Sequence, residues 1–393
     1  MISLARYTAL LQRDDMRQLL GASLLGRLPI GLTGLAILLL VQTTSGSFAY
    51  AGAATGCYVG GLALMAPLLG RLIDRFGPRT PLLVCGGVFP GALLALVGAV
   101  WMAAPAPLTL LIAAIAGAGF PPITVCLRTY FRQHLGEEAL LTTAYSLESV
   151  MIELIFILGP MIVALFVAVA HAAFAVGFAA LCGLAGTLLF RRASALAAWR
   201  IEPRSPGSLL GPLADRSFAA LVAIVFCFST AFGLMEVAVT AYATENGNAA
   251  LAGVLLGLMS AGSAFGGLAY GSRHWHAPLV RQFALALALM GAGLGLLALQ
   301  WNPWAFALLS VAAGVVMAPA LIIQSMLVAK TARAAHATEG FTWATSALLS
   351  GVGIGLAAGG AMLETLRSSA VLGAAGAAAL AAACGALLLK NRA

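Results

Sequence analysis

APLLGRLIDRFGPRTPLL, residues 66–83, interrupts a chain that is otherwise almost unbroken Ala, Leu, Gly and Val. Arg71, Asp74, Arg75 and Arg79 crowd into this one stretch, fenced by Gly70, Gly77 and Pro78. Charge is scarce elsewhere: 9% of the 393 residues are charged, against about 25% in a soluble domain. Hydrophobic residues make up 62%, and mean hydropathy is +1.01. Apolar runs of about 20 residues recur along the whole length, each able to cross a hydrocarbon core of roughly 30 Å as a helix. The sequence is that of an all-α, polytopic membrane protein, and 66–83 is read as a charged connection between two spans.

Working outward from that connection gives twelve spans, at roughly 18–42, 48–70, 80–102, 108–131, 144–169, 172–190, 218–241, 250–271, 282–299, 304–328, 341–363 and 369–389. Connections such as 43–47 and 103–107 are tight turns. The long interruption, 191–217, is polar, Pro-bearing and basic, and it divides the chain into a six-helix bundle (1–190), a cytoplasmic linker (191–217) and a second six-helix bundle (218–393). With the N-terminus inside, every Lys and Arg except Arg27, Arg128 and Arg367 falls in a cytoplasmic segment. That asymmetry predicts that both termini are cytoplasmic. The formal charge of +8 thus belongs to loops that orient the chain, and no nucleic-acid partner is expected. The first twenty residues are mixed in charge with no small-residue cleavage site, so no cleaved signal peptide is expected. The six cysteines lie in apolar runs without ligand spacing, which predicts packing roles and neither metal nor cofactor.

The two halves echo each other at one offset. GGLALMAPLLGRLIDRFG closes the second span and SAFGGLAYGSRHW the eighth, with Gly70 and Gly267 197 residues apart. TTAYSLES (142–149) and EGFTWATS (339–346) match at the same offset. Two parallel six-helix repeats are expected to place a substrate site between them at mid-membrane depth.

At this point the sequence resembles the major facilitator superfamily. That family's hallmark between its second and third helices has the form G-x-L-x-D-R-x-G-R-[KR]. Here Gly70, Leu72, Asp74, Arg75 and Gly77 stand in place, with Pro78 where a basic residue is common and Arg79 after it. The resemblance implies a conformational latch formed by Gly70, Asp74, Arg75, Gly77 and Arg79, which holds the halves together in the outward-open state. Physically, the glycines permit close approach, and Asp74 can accept from the exposed amides of a nearby helix N-terminus or pair with Arg75 or Arg79. The copy after the eighth span has Gly271 at the Asp position. In the fifth span, Gly159-Pro160 resembles the end of the Gly-rich pattern of the family's antiporters, though most flanking glycines are absent. It predicts a helix bend and favours export over uptake.

Ionisable residues within spans cost about 2.5 kcal/mol or more to insert and are functional candidates by default. Arg27 lies roughly two turns into the first span, ahead of Pro29 and Gly31, and suits an anionic substrate group or a carboxylate on another helix; the bland alternative is snorkelling to the interface. Glu236, in the outer half of the seventh span, is the first candidate for proton coupling, since a carboxylate in apolar surroundings can take up and release a proton near neutral pH. It would equally suit a cationic substrate. Glu148 and Glu153 are separated by about 140° around a helix, so they cannot both face one cavity squarely. Both are coupling candidates, Glu153 the deeper one, and Glu148 has Arg128 or Arg132 as partners within reach. Arg128 departs from the superfamily's fourth-helix arginine motif, because no Gly-rich run follows it, and takes no role from that motif; with Arg27 and Glu236 it is a substrate-cavity candidate, a structural pairing with a fifth-span glutamate being the equal alternative. Glu339 opens the eleventh span, either as a helix-capping acid or as an inner gate. Tyr58, Phe120, Tyr145, Phe232 and Trp343 are candidate cavity-wall aromatics, with ordinary packing the alternative for each. Trp301 and Trp304 flank Pro303 in an interfacial belt.

No HExxH, GxSxG, phosphate-binding loop or soluble nucleotide domain is present, so an enzyme is not expected. A channel is disfavoured by the repeat. The remaining expectation is a monomeric secondary transporter in a bacterial inner membrane, exchanging a small organic solute for protons by rocker-switch alternating access. The alternative is an uptake symporter or facilitator.

Overall fold

The computed structural model describes the chain except residues 1–3, 13, 47, 195, 197–198, 202–210, 247–250, 301 and 390–393. Part of the expected linker 191–217, the end of the turn at 43–47 and Trp301 therefore lie outside the described residues. Among the described residues, twelve helices are long and apolar enough to cross a membrane. In order they are Asp15–Ser45, Tyr50–Phe76, Arg79–Trp101, Ala106–His134, Glu138–Val169, Ala172–Arg192, Arg216–Ala243, Leu251–Gly271, Leu279–Leu297, Pro303–Thr331, Ala337–Leu363 and Ser368–Leu387, referred to below as spans 1 to 12. A short helix, Leu4–Leu11, precedes them.

Several spans extend beyond their apolar runs at the end of the molecule that carries the basic connections, here called the basic end. Span 2 reaches Phe76, span 5 begins at Glu138 and span 11 at Ala337. Hydropathy marks only what lies in hydrocarbon, whereas good helix formers such as Leu, Arg and Glu continue the hydrogen-bond ladder into water. This corrects the expectation that the charges of 71–79 sit in a loop. Arg71, Asp74 and Arg75 ride on the last turns of span 2, and the connection proper is Gly77-Pro78. Gly77 has φ +79°, the left-handed turn that glycine adopts without steric cost, and its N–H closes the helix on the Ile73 carbonyl at 2.8 Å. Arg27, in turn, lies about three turns into span 1, deeper than the apolar run alone indicates.

Three spans are broken near their middles. Span 1 breaks at Leu28 between Asp14–Arg27 and Pro29–Ser45. Span 4 breaks at 119–122, GFPP, between Ala106–Ala118 and Ile123–His134. Span 10 breaks at Val315-Val316 between Pro303–Gly314 and Met317–Thr331. Proline supplies the first two breaks, because it lacks the N–H of the helical ladder and crowds the preceding turn. The breaks in spans 4 and 10 fall at corresponding places of the repeat offset.

Helix contacts rest on small residues, as expected where lipid removes the hydrophobic drive between helices. A Cβ on Gly117 would strike the Tyr58 carbonyl across spans 4 and 2, and one on Gly314, 197 residues later, would strike the Met259 carbonyl across spans 10 and 8. Gly31 and Gly159 meet backbone to backbone where spans 1 and 5 cross. The helix of span 5 continues through Pro160 as far as Val169. Leu94, Leu165, Phe265, Leu289 and Leu308 are exposed on the outer faces, the apolar surface a bilayer covers.

Candidate functional site

Spans 2 and 11 meet at the basic end. Asp74, 8% exposed, accepts the amide of Thr338 at Oδ1 (2.9 Å) and of Glu339 at Oδ2 (2.8 Å). These are first-turn N–H groups of span 11, which have no acceptor within their own helix, and a carboxylate there also meets the positive end of the helix dipole. One turn back, Arg71 Nε reaches Glu339 Oε1 at 2.6 Å. Glu339 is 1% exposed and also lies against His336 Nδ1 (3.3 Å) and Trp343 Nε1 (3.4 Å). Gly70 sits against Thr342 and the Glu339 backbone, with no room for a side chain. Arg75 and Arg79 are exposed, and the Arg75 guanidinium lies 5.0 Å from the Phe76 ring centroid. Farther along, Ser346 donates to the Ala63 carbonyl at 3.0 Å, and Arg132 of span 4 donates to the Ala332 carbonyl at 2.6 Å.

A second junction joins spans 5 and 8 at the same end. Ser146 Oγ donates to the Gly267 carbonyl at 2.6 Å, and Thr143 Oγ1 to the Gly271 carbonyl at 3.0 Å. Tyr7, from the helix ahead of span 1, places its hydroxyl 2.9 Å from Ser146 Oγ and donates to the Leu268 carbonyl at 3.0 Å. Burial pushes the Tyr7 hydroxyl above its ordinary pKa, opposed in part by the Ser146 bond. Sequence reading missed Tyr7 altogether. Its partners lie 139 and 261 residues away, and the only local signal was the Leu and Tyr content of a segment too short to span.

Deeper, in the basic-end halves of spans 1, 4 and 5, Glu148 is held by two arginines. Arg27 Nη2 bonds Oε1 at 2.9 Å, and Arg128 Nε bonds Oε2 at 2.9 Å. Arg27 is fully buried and Glu148 1% exposed, so Arg27 does not snorkel. Glu153 faces elsewhere, as the angular separation requires, and accepts from Ser263 Oγ of span 8 at 2.6 Å.

At the opposite end of the molecule, spans 7 and 11 border a cavity of about 480 Å³ lined by Glu236, Val237, Thr240, Ala241, Glu245, Leu356 and Leu363. Glu245 is engaged in capping span 12, accepting from Ser368 N–H (2.9 Å) and Oγ (2.7 Å). Glu236 is exposed to the cavity, and no hydrogen bond from a described residue reaches its carboxylate. Of the aromatic candidates, Tyr58 and Tyr145 are buried. Phe120 packs edge-on against Phe89 and Phe232 against Phe228. Trp343 belongs to the first junction. The structure thus joins Arg27, Arg128 and Glu148 in one cluster and Asp74, Glu339 and Trp343 in another, while Glu153 and Glu236 stand apart from both.

Residues 19–281 match the family model of the Major Facilitator Superfamily. The chain belongs to that superfamily, whose members are transporters and not enzymes. The fold agrees. A crystal structure of a bacterial homologue of the iron transporter ferroportin, in an outward-facing state, superposes with TM-score 0.81 at 14% identity, covering 96% of this chain and 100% of that one. The human organic anion transporter MFSD10 (TETRAN) gives 0.72 at 20%, covering 95% and 99%. The Escherichia coli fucose:proton symporter FucP gives 0.71 at 15%, covering 96% and 100%. At these identities the likeness is one of fold alone. No curated protein sequence matches the chain.

Proposed function

We propose that the protein exports a small organic solute in exchange for protons, by rocking its halves 1–190 and 218–393 about a central site, as a monomer in a bacterial inner membrane. The observation that carries this reading is the asymmetry between the two ends. The basic end is joined across the halves by Asp74, Arg71 and Glu339 and by Tyr7 and Ser146, whereas at the other end an open hollow of the second half, between spans 7 and 11, bears the Glu236 carboxylate, which no hydrogen bond from a described residue reaches. Basic residues favour the cytoplasmic side, so the cavity faces outward. Glu236 is there the proton-binding group that meets external solution. Glu153, hydrogen-bonded from one half to the other, is a second carboxylate whose protonation would weaken a contact that must break when the halves separate. Arg27, Arg128 and Phe232 belong to the solute path, Trp343 borders it where the first junction closes against Glu339, and Gly159-Pro160 keeps spans 1 and 5 in close register.

The fucose:proton symporter of the same fold favours a second reading, proton-coupled uptake. Inverted vesicles energised to an acid interior and followed with a pH-sensitive dye separate the two. Export predicts proton efflux on addition of a transported compound, abolished by Glu236→Gln. A dye signal that stays flat across a chemically diverse panel, while labelled solutes accumulate in whole cells, would replace export with uptake.

A further inference from the structure

The break in span 1 carries a cation whose hydrogen-bonding capacity is only partly used. Arg27 gives Nη2 to Glu148, but its Nε and Nη1, both fully buried, meet no acceptor among the described residues. One turn earlier, on the same helix face, the buried Ser23 hydroxyl also has no partner among the described residues. Around them, two guanidinium groups share one carboxylate, so one positive charge is uncompensated in apolar surroundings. Buried charge and buried donors are costly unless matched, and a discontinuous membrane helix is a recurrent place for a ligand to match them.

We propose that Arg27 and Ser23, with Arg128 behind Glu148, form the headgroup site for a singly charged organic anion, a carboxylate or a sulfonate. This rests on the solute-transport reading and names its substrate class. The anion's oxygens accept from Arg27 Nε and Nη1 and from Ser23 Oγ, a charge-assisted arrangement suited to a planar or trigonal oxyanion. Glu148 holds the guanidinium in place and prevents the site from carrying two uncompensated charges. A monoanion then brings the cluster to neutrality, which removes the electrostatic penalty of moving the loaded site through the membrane interior. Arg27, Arg128 and Glu148 all lie in the basic-end halves of their spans, behind the two junctions. The anion therefore enters from the basic side once those junctions part.

The test is calorimetric titration of the purified full-length protein in detergent with benzoate and benzenesulfonate, using benzamide, benzylammonium and sodium chloride as comparators. Saturable binding of the two organic anions alone is expected. Arg27→Gln should weaken it on the order of tenfold or more, as for loss of a charge-assisted bond. Arg27→Lys should recover part of the loss, and Ser23→Ala should weaken it by a smaller factor. The proposal is overturned by no anion bound by the wild type, by benzamide or benzylammonium bound as tightly as benzoate, or by benzoate affinity unchanged in a folded Arg27→Gln variant. Equal competition by chloride makes this an inorganic-ion site and overturns the substrate assignment. Should Arg27→Gln fail to fold, the wild-type comparison and Ser23→Ala decide. Binding is read without a gradient, so a silent vesicle assay with intact anion binding removes proton exchange alone, and the reverse result removes the anion alone.

Discussion

The junction of spans 2 and 11 and the junction of spans 8 and 5 occupy equivalent places in the 197-residue repeat, yet they join their helices with opposite chemistry. At the first, a side chain of span 2 accepts: Asp74 takes two amides from the start of span 11. At the second, side chains of span 5 donate: Ser146 and Thr143 give hydroxyl hydrogens to the Gly267 and Gly271 carbonyls at the end of span 8. One junction uses the positive end of a helix and a full charge, the other the negative end and neutral donors. What the two junctions share is close approach, but not at the same register: in one half it is made by Gly70, in the other by Gly271, one turn beyond Gly267, the repeat partner of Gly70, and at the place of Asp74. The missing acid at 271 is thereby explained. A Cβ there would run into Ser146 and the Tyr7 hydroxyl.

Writing the first junction into the second should have the largest effect. Gly271→Asp restores the motif in sequence, but it should push spans 5 and 8 apart and leave a carboxylate among carbonyls. Overpacking together with an unmatched buried charge costs on the order of 3 kcal/mol. A clear fall in the yield and thermal stability of folded protein is expected, with no rescue of an Asp74 variant. If Gly271→Asp were stable and compensated Asp74→Ala, the two junctions would be interchangeable and the comparison wrong.

Asp74→Ala comes next. It removes an acceptor from two first-turn amides, and lost caps cost about 0.5–2 kcal/mol. The closed basic end should become less populated by up to about thirtyfold. The readout is maleimide labelling of Ser346→Cys, which in the closed state lies against the Ala63 carbonyl. Labelling from the basic side should accelerate in Asp74→Ala and less so in Asp74→Asn, which keeps one acceptor. Equal rates in all three would remove Asp74 from the closing contact.

How much of this was legible beforehand depends on the range of the signal. Twelve apolar runs and a 197-residue echo are statements about composition and spacing, and they lead directly to twelve helices. The acceptor role open to Asp74 followed from its charge beside a connection, but its partner Glu339 lies 265 residues away and had to be supplied by the fold. Glu148 was read with Arg128 or Arg132 as partners; the structure gives it Arg128 and adds Arg27. Ala- and Gly-rich helices present nearly uniform faces, so nothing in span 1 fixes which way Arg27 points. Glu153 was separated from Glu148 by helix geometry alone, yet its partner Ser263 is one of several serines in its half. Helix ends were misplaced where polar turns leave the hydrocarbon, and this is what turned an expected charged loop into the last turns of span 2.

Tyr7→Phe tests the neutral junction with the smallest expected effect. Its two contacts are shared: Ser146 Oγ keeps the Gly267 carbonyl, and the Leu268 carbonyl keeps the Ser272 amide at 3.1 Å. Losing the hydroxyl therefore strands no buried group, and the change should lie near the low end of a hydrogen bond's net worth, about 0.5 kcal/mol. Labelling of Ser346→Cys should rise by roughly twofold. The pH dependence follows from the raised pKa of the hydroxyl. A group whose pKa is raised on folding contributes fully below its unfolded value, about 10 for tyrosine, and that contribution fades only as pH climbs beyond it. The ratio of labelling rates between Tyr7→Phe and wild type should thus stay flat from about pH 6 to 9. A ratio that collapses to unity within that window would mean that Tyr7 ionises there, and the second junction would then not be the neutral counterpart of the first.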